Sequence, residues 1–86
     1  MLHSEKIKQF IEQGLSNSTA IVTGDDGRHF TAIVISQEFA FKNRIQRQQA
    51  VYHTLHSYIQ DGSIHAISIK TLTPEEWQQQ ETLHHG

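Results

Sequence analysis

Histidine is the residue of this sequence best suited to hold a transition metal: seven are spread over 86 residues, and there is no cysteine. A disulfide, a home-made zinc–thiolate site and a thiol nucleophile are thereby excluded, and any thiolate in a metal centre built on this chain must come from another molecule. His65 stands at the head of the β-branched run Ile64-His65-Ala66-Ile67-Ser68-Ile69-Lys70. Residue type and position leave it two roles, a hydrogen-bonded residue at the border of a strand or a metal ligand. His29 follows a turn containing Asp25 and Asp26, and reads either as a solvated loop residue or as a ligand. Asp25 is a substitute ligand candidate, although carboxylates suit hard cations better than softer transition-metal centres. His53 and His56, at i and i+3, fall on the polar side of a helical pattern with no third ligand in view, and His84 and His85 sit near the C-terminus. Protonating all seven histidines would take the formal charge from -2 to -2 + 7 = +5, so behaviour is expected to change below roughly pH 6.

A second group of interest is basic. Lys42, Arg44 and Arg47 cluster at the start of a helical segment, with Lys70 as a further candidate. They read as a solvated helix end, a partner-docking surface or a nucleic-acid contact. The formal net charge of -2 argues against a dedicated nucleic-acid binder, which usually presents a basic footprint. Gly24-Asp25-Asp26-Gly27 matches the GxxG of RNA-binding KH modules in form only, because it closes a hairpin and carries two charges that repel phosphate. There is no nucleophile elbow, no phosphate loop and no His-Glu-x-x-His, so the chain reads as a non-enzyme.

The elements that must position these residues follow from periodicity. Ser4 is the expected cap of a helix with apolar stripe Ile7, Phe10, Ile11 and Leu15, stopped by Gly14 and Ser16-Asn17-Ser18. Thr19 to Thr23 and Phe30 to Ser36 are strand-like and flank Gly24-Asp25-Asp26-Gly27-Arg28, which predicts an antiparallel hairpin. Arg44 to Gln60 is helical, with Ile45, Val51, Tyr52, Leu55, Tyr58 and Ile59 assigned to the core face and Gln46, Ala50, His53, Ser57 and Gln60 to the opposite one. Asp61-Gly62-Ser63 ends it, and Ile64 to Thr71 is the third strand. A last helix starts with Thr73 as N-cap, Pro74 at the first position, Glu76 closing a capping box and Leu72 stapled to Trp77.

The order α-β-β-α-β-α predicts one small α/β (α+β) domain over residues 1–80 with a three-stranded mixed sheet, and a flexible tail over 81–86. The helix between strands two and three serves as a right-handed crossover that leaves them parallel. Parallel strands start at the same end of a sheet, so His29 and His65 are expected at one common edge. No run approaches the ~20 apolar residues of a membrane span, so no membrane association is expected and the chain reads as soluble and unexported.

Several segments then match in order and spacing. They are Thr23-Gly24-Asp25 with His29-Phe30, Phe39 with Arg44-Ile45 and Gln48-Gln49-Ala50-Val51-Tyr52, and Ile64 to Lys70 running into Thr73-Pro74-Glu75-Glu76-Trp77. Together they resemble the BolA-like family, and within it the IbaG-like branch, from Ile7 to Trp77. The resemblance implies a fold similar to class II KH domains, partnership with a monothiol glutaredoxin in the cytoplasm, and a shared [2Fe-2S] cluster. It implies that His65 is a cluster ligand, that a second comes from the hairpin loop, best matched by His29, and that glutathione and thiolate arrive with the partner. Two histidines can hold one iron of such a cluster. Apo-proteins that accept the cluster are implied as further partners, in iron or stress response. The family is also described as transcription regulators, which keeps DNA as an alternative partner. This chain departs from the family in having Phe41 where a glycine is common, and Gln46-Arg47-Gln48-Gln49 where a more basic segment is common.

Overall fold

The computed structural model describes residues 2–24 and 26–85. The chain runs α1 (Ser4–Gly14), β1 (Ser18–Thr23), β2 (His29–Ser36), a 3-10 turn (Gln37–Phe41), α2 (Arg44–Gln60), β3 (Ala66–Leu72) and α3 (Pro74–His85). The sheet order is β1-β2-β3. β1 and β2 are antiparallel, with Ile21 opposite Ile33, and β2 and β3 are parallel, with His29 opposite Ala66 and Ile35 opposite Leu72. The three-stranded mixed sheet and its helical crossover are therefore as the periodicity predicts.

One sheet face carries Ala20, Phe30, Ala32 and Val34, which join Ile7 and Ile11 of α1, Val51 and Leu55 of α2, Phe39 and Ile64 in the core. Strand alternation puts these strand residues on one side, and the i, i+4 spacing of Ile7/Ile11 and Val51/Leu55 turns one stripe of each helix toward them. Both outer strands have helix side chains on their free edges. Glu12 accepts the Ala20 N–H at 2.9 Å, Lys8 donates to the Ala20 carbonyl at 2.9 Å, and Gln48 donates to the Ile69 carbonyl at 2.7 Å. Open sheet edges invite pairing with other chains, and these contacts occupy part of each edge.

Local details differ from expectation in ways that have causes. Ser4 is the first helical residue rather than the cap; His3 takes that position, with no side-chain cap bond. Asn43 and Gln46 form a reciprocal capping box at the start of α2. The buried face of α2 is rotated from the one assigned: Ile45, Tyr52 and Ile59 are 69%, 40% and 37% exposed, whereas Ala50 packs against the core. These three recur every seven residues, a spacing that drifts only ~20° per heptad. They therefore stay in one line at the margin of the face that Val51 and Leu55 centre. Phe41 ends the 3-10 turn at 95% exposure, without a positive φ, so the turn does not require glycine there.

At the start of α3, Thr73 and Glu76 make both bonds of the predicted capping box, at 2.8 and 3.2 Å. The helix continues through residue 81, where a tail was expected, to His85. Residue 86, the end of that expected tail, lies outside the described residues. Among the described residues no helix is long and apolar enough to cross a membrane.

Candidate functional site

The β1–β2 hairpin and the loop from Asp61 to His65 meet at the end of the sheet where β2 and β3 begin. Within the hairpin, Gly27 takes a φ of 71°, a left-handed value that glycine adopts without strain. The Asp26 carboxylate organises the turn: its Oδ1 accepts the backbone N–H groups of Arg28 and His29, each at 2.9 Å, and its Oδ2 lies 2.9 Å from His29 Nδ1. The backbone N–H of His29, that of Arg28 and then the His29 ring hold the Asp26 carboxyl far below the usual carboxylate range. Asp25, the alternative ligand read from the sequence, lies outside the described residues.

Arg28 joins the two loops. Its N–H is bound to Asp26, and its carbonyl accepts the N–H groups of His65 and Ala66 at 3.1 and 3.2 Å. The residue before His65 is equally fixed, because Ile64 is buried and donates to the Tyr58 carbonyl at 3.0 Å, while Tyr58 stacks on Phe10 with ring centroids 4.3 Å apart. Both imidazoles nevertheless face solvent. The His29 and His65 rings stand nearly perpendicular, 88° apart in plane, with centroids separated by 6.5 Å. The common edge expected from the parallel crossover is thus occupied by both histidines, 36 residues apart in sequence.

What this pair can do follows from its dimensions. Two imidazoles on one tetrahedral ion, at metal–nitrogen distances of ~2.1 Å, bring their centroids to about 5 Å. At 6.5 Å the two centroids are roughly 1.5 Å further apart than such an ion would hold them, so ligation by both needs a side-chain adjustment. Among the described residues no group of three or more histidine, aspartate or glutamate side chains forms a metal site, so the pair offers half of a four-coordinate set. Imidazole nitrogens as donors suit zinc, copper, nickel or iron rather than calcium or magnesium. His53 and His56 are exposed on α2, on the side assigned to them.

The basic residues come together elsewhere. Lys42, Arg44, Arg47 and Lys70 line an open cleft between the start of α2, β3 and α3, beside Gln48 and Gln79. They are not equivalent. Arg47 donates to the Phe39 and Lys42 carbonyls at 2.9 and 3.1 Å and pairs with Glu76 at 2.8 Å, with only 16% of its side chain exposed. It ties the 3-10 turn and α2 to α3, so its charge serves the fold rather than a ligand. Lys42, Arg44 and Lys70 are exposed.

Sequence reasoning missed the partnership of Asp26 with His29. Its signal was the Asp-x-x-His spacing across an Asp-Gly turn, where an Asx carboxylate habitually accepts N–H groups two and three residues on. The Arg47–Glu76 pair had no comparable signal, because the two residues lie 29 apart and the periodicity of neither helix reveals the other.

Comparison with known proteins agrees with this architecture. The family model described as BolA-like protein matches residues 7–76. The acid stress protein IbaG of Escherichia coli K12 is 40% identical over 76 residues, 88% of this chain and 89% of its own. The DNA-binding transcriptional regulator BolA of Haemophilus influenzae is 38% identical over 59 residues, 67% of this chain and 56% of that one. Among solved structures, a bolA protein homologue from Coxiella burnetii superposes with a TM-score of 0.81 at 43% identity, covering 91% of this chain and 99% of its own.

Proposed function

Because this chain belongs to the BolA-like protein family, we propose that it is a non-enzymatic adaptor that docks on a monothiol glutaredoxin and helps bind or hand on a [2Fe-2S] cluster through His65 and His29. The observation that carries this reading is the meeting of two solvent-facing imidazoles, 6.5 Å apart, on a chain with no thiol. A cluster iron is four-coordinate, and histidine replaces cysteine on one iron in centres where the potential is raised. The remaining thiolates come from the partner and its glutathione. Such a complex explains why the histidines sit on backbone fixed by hydrogen bonds yet keep their rings in solvent, where a partner can reach them. Apo-proteins that accept the cluster are the further partners of this reading, and the cytoplasm is where its glutaredoxin would be met.

The test is reconstitution of the purified chain with a monothiol glutaredoxin, iron, sulfide and glutathione. A heterodimer with a cluster spectrum different from that of the glutaredoxin alone is expected, and His65→Ala should abolish the difference. An unchanged spectrum in that variant would refute the ligand assignment.

A second reading is a nucleic-acid-binding regulator. It is favoured by the cleft that gathers Lys42, Arg44 and Lys70, and by the relative described as a DNA-binding transcriptional regulator. Its mark is salt-dependent binding to DNA fragments in the absence of any glutaredoxin, with the salt slope falling by about one for each of Lys42 and Arg44 neutralised. No binding at ~50 mM salt would end it.

A further inference from the structure

We propose that Asp26 is a positioning residue that fixes neutral His29 with its proton on Nδ1 and so leaves Nε2 as the nitrogen offered to a metal. The inference rests on the reading of His29 as a ligand and adds which of its two nitrogens ligates and what decides it.

The argument is one of donor and acceptor inventory. An ionised carboxylate only accepts, and a neutral imidazole carries one N–H and one lone pair. Asp26 Oδ1 is occupied by the backbone N–H groups of Arg28 and His29, while Oδ2 lies 2.9 Å from His29 Nδ1. The proton must therefore be on Nδ1, and the lone pair on Nε2. Free histidine in water favours the opposite tautomer, so the preference is imposed by the turn. The same carboxylate also orients the ring, because it is itself anchored to the backbone at two points. Metal-ligating histidines are commonly held in this way by a carboxylate on the second nitrogen, and removing such a partner typically weakens metal affinity 10- to 100-fold.

Asp26→Asn separates positioning from simple structural support. The amide oxygen can still accept both backbone N–H groups, which preserves the turn. The amide NH2 that replaces Oδ2 can only donate, so Nδ1 must accept and the proton moves to Nε2, the atom that would ligate. In the apo protein, at a pH where the ring is neutral, 15N NMR of the His29 ring should report an Nδ1–H tautomer for the natural chain and an Nε2–H tautomer for Asp26→Asn. Zinc alone, titrated into the isolated chain and followed on the His29 and His65 ring resonances, should bind roughly 10- to 100-fold more weakly to the variant. Reading those two rings keeps adventitious zinc on the other histidines out of the result.

A natural chain with its His29 proton on Nε2, or an Asp26→Asn variant that binds zinc as tightly as the natural chain, overturns the proposal. His29→Ala distinguishes the two levels of failure. If it binds zinc at His65 with undiminished affinity, His29 is no ligand and the reading beneath the proposal falls. If it binds weakly while Asp26→Asn binds normally, His29 ligates and only the role of Asp26 is wrong.

Discussion

Gly24 is the place where a single methyl group would reach the histidine pair without touching either ring. A Cβ built on Gly24 would lie 2.5 Å from Phe30 Cδ1 and 2.8 Å from the His29 carbonyl oxygen. Ordinary carbon–carbon contact begins near 3.5 Å, so the overlap with the Phe30 ring is about 1 Å. Phe30 is 4% exposed and packed in the core, and the second obstacle is backbone, so neither neighbour can simply swing away. Overpacking of this kind costs roughly 1–3 kcal/mol. For a domain of this size each kcal/mol lowers the melting temperature by about 4–8 °C. Gly24→Ala is therefore expected to melt roughly 5–20 °C lower, as read by circular dichroism. Because the clash presses on the His29 carbonyl, the relief also moves the start of β2 relative to His65, which should appear as chemical-shift changes at both rings and as weaker zinc binding there. Gly24→Ala with unchanged melting and unchanged His29 and His65 resonances would refute the close-packed hairpin on which the site geometry depends.

Two further outcomes follow from the ion pairs. Arg47→Met removes the link to Glu76 and leaves the Phe39 and Lys42 carbonyls without their shared donor, so it should destabilise by about 1–3 kcal/mol in urea titration. A loss near zero would return Arg47 to the surface charges available for binding. On acidification, stability should fall below about pH 4, near the ordinary carboxylate values, and continue to fall through the depressed values of the folded state. The sign follows from four carboxyls whose folded values are lowered: Asp26 by the His29 and Arg28 N–H groups, Glu12 chiefly by Lys8, Asp61 by the Ser63 hydroxyl and N–H, and Glu76 by the Thr73 N–H and Arg47. What they contribute is present above the unfolded values and lost below them. Urea midpoints measured between pH 2 and 7 should show this decline, less steeply in Glu76→Gln; a variant with an unaltered profile would dismiss the role of that carboxylate.

The parts legible in the sequence were those governed by local periodicity and local caps. The Thr73–Glu76 box, the hairpin around Gly27 and the core stripe of Ile7 and Ile11 each depend on residues a few positions apart. The meeting of His29 and His65 was also legible, although it is non-local, because handedness forces a crossover helix to return the chain to a parallel neighbour. What could not be read was the orientation of α2 about its axis. Ile45, Tyr52 and Ile59 satisfy a helical wheel as well as Val51 and Leu55 do. Which arc is buried depends on how α2 settles against α1 and β3, a packing outcome with no sequence-local signal. The same holds for Arg47, whose charge looks free until α3 brings Glu76 against it.

The two functional readings occupy opposite ends of the same strands, and this makes them separable. His65 precedes Ala66 at the start of β3, while Lys70 lies five residues beyond His65, about 16 Å away at a strand rise of ~3.3 Å per residue. Lys42 and Arg44 lie with Lys70 around the cleft at that far end. Sites more than about 7–10 Å apart with no shared partners respond independently to substitution. A double variant at His65 and Arg44 should therefore show the cluster defect of one single variant and the DNA defect of the other, with no excess. Coupling between them would require a physical path along β3.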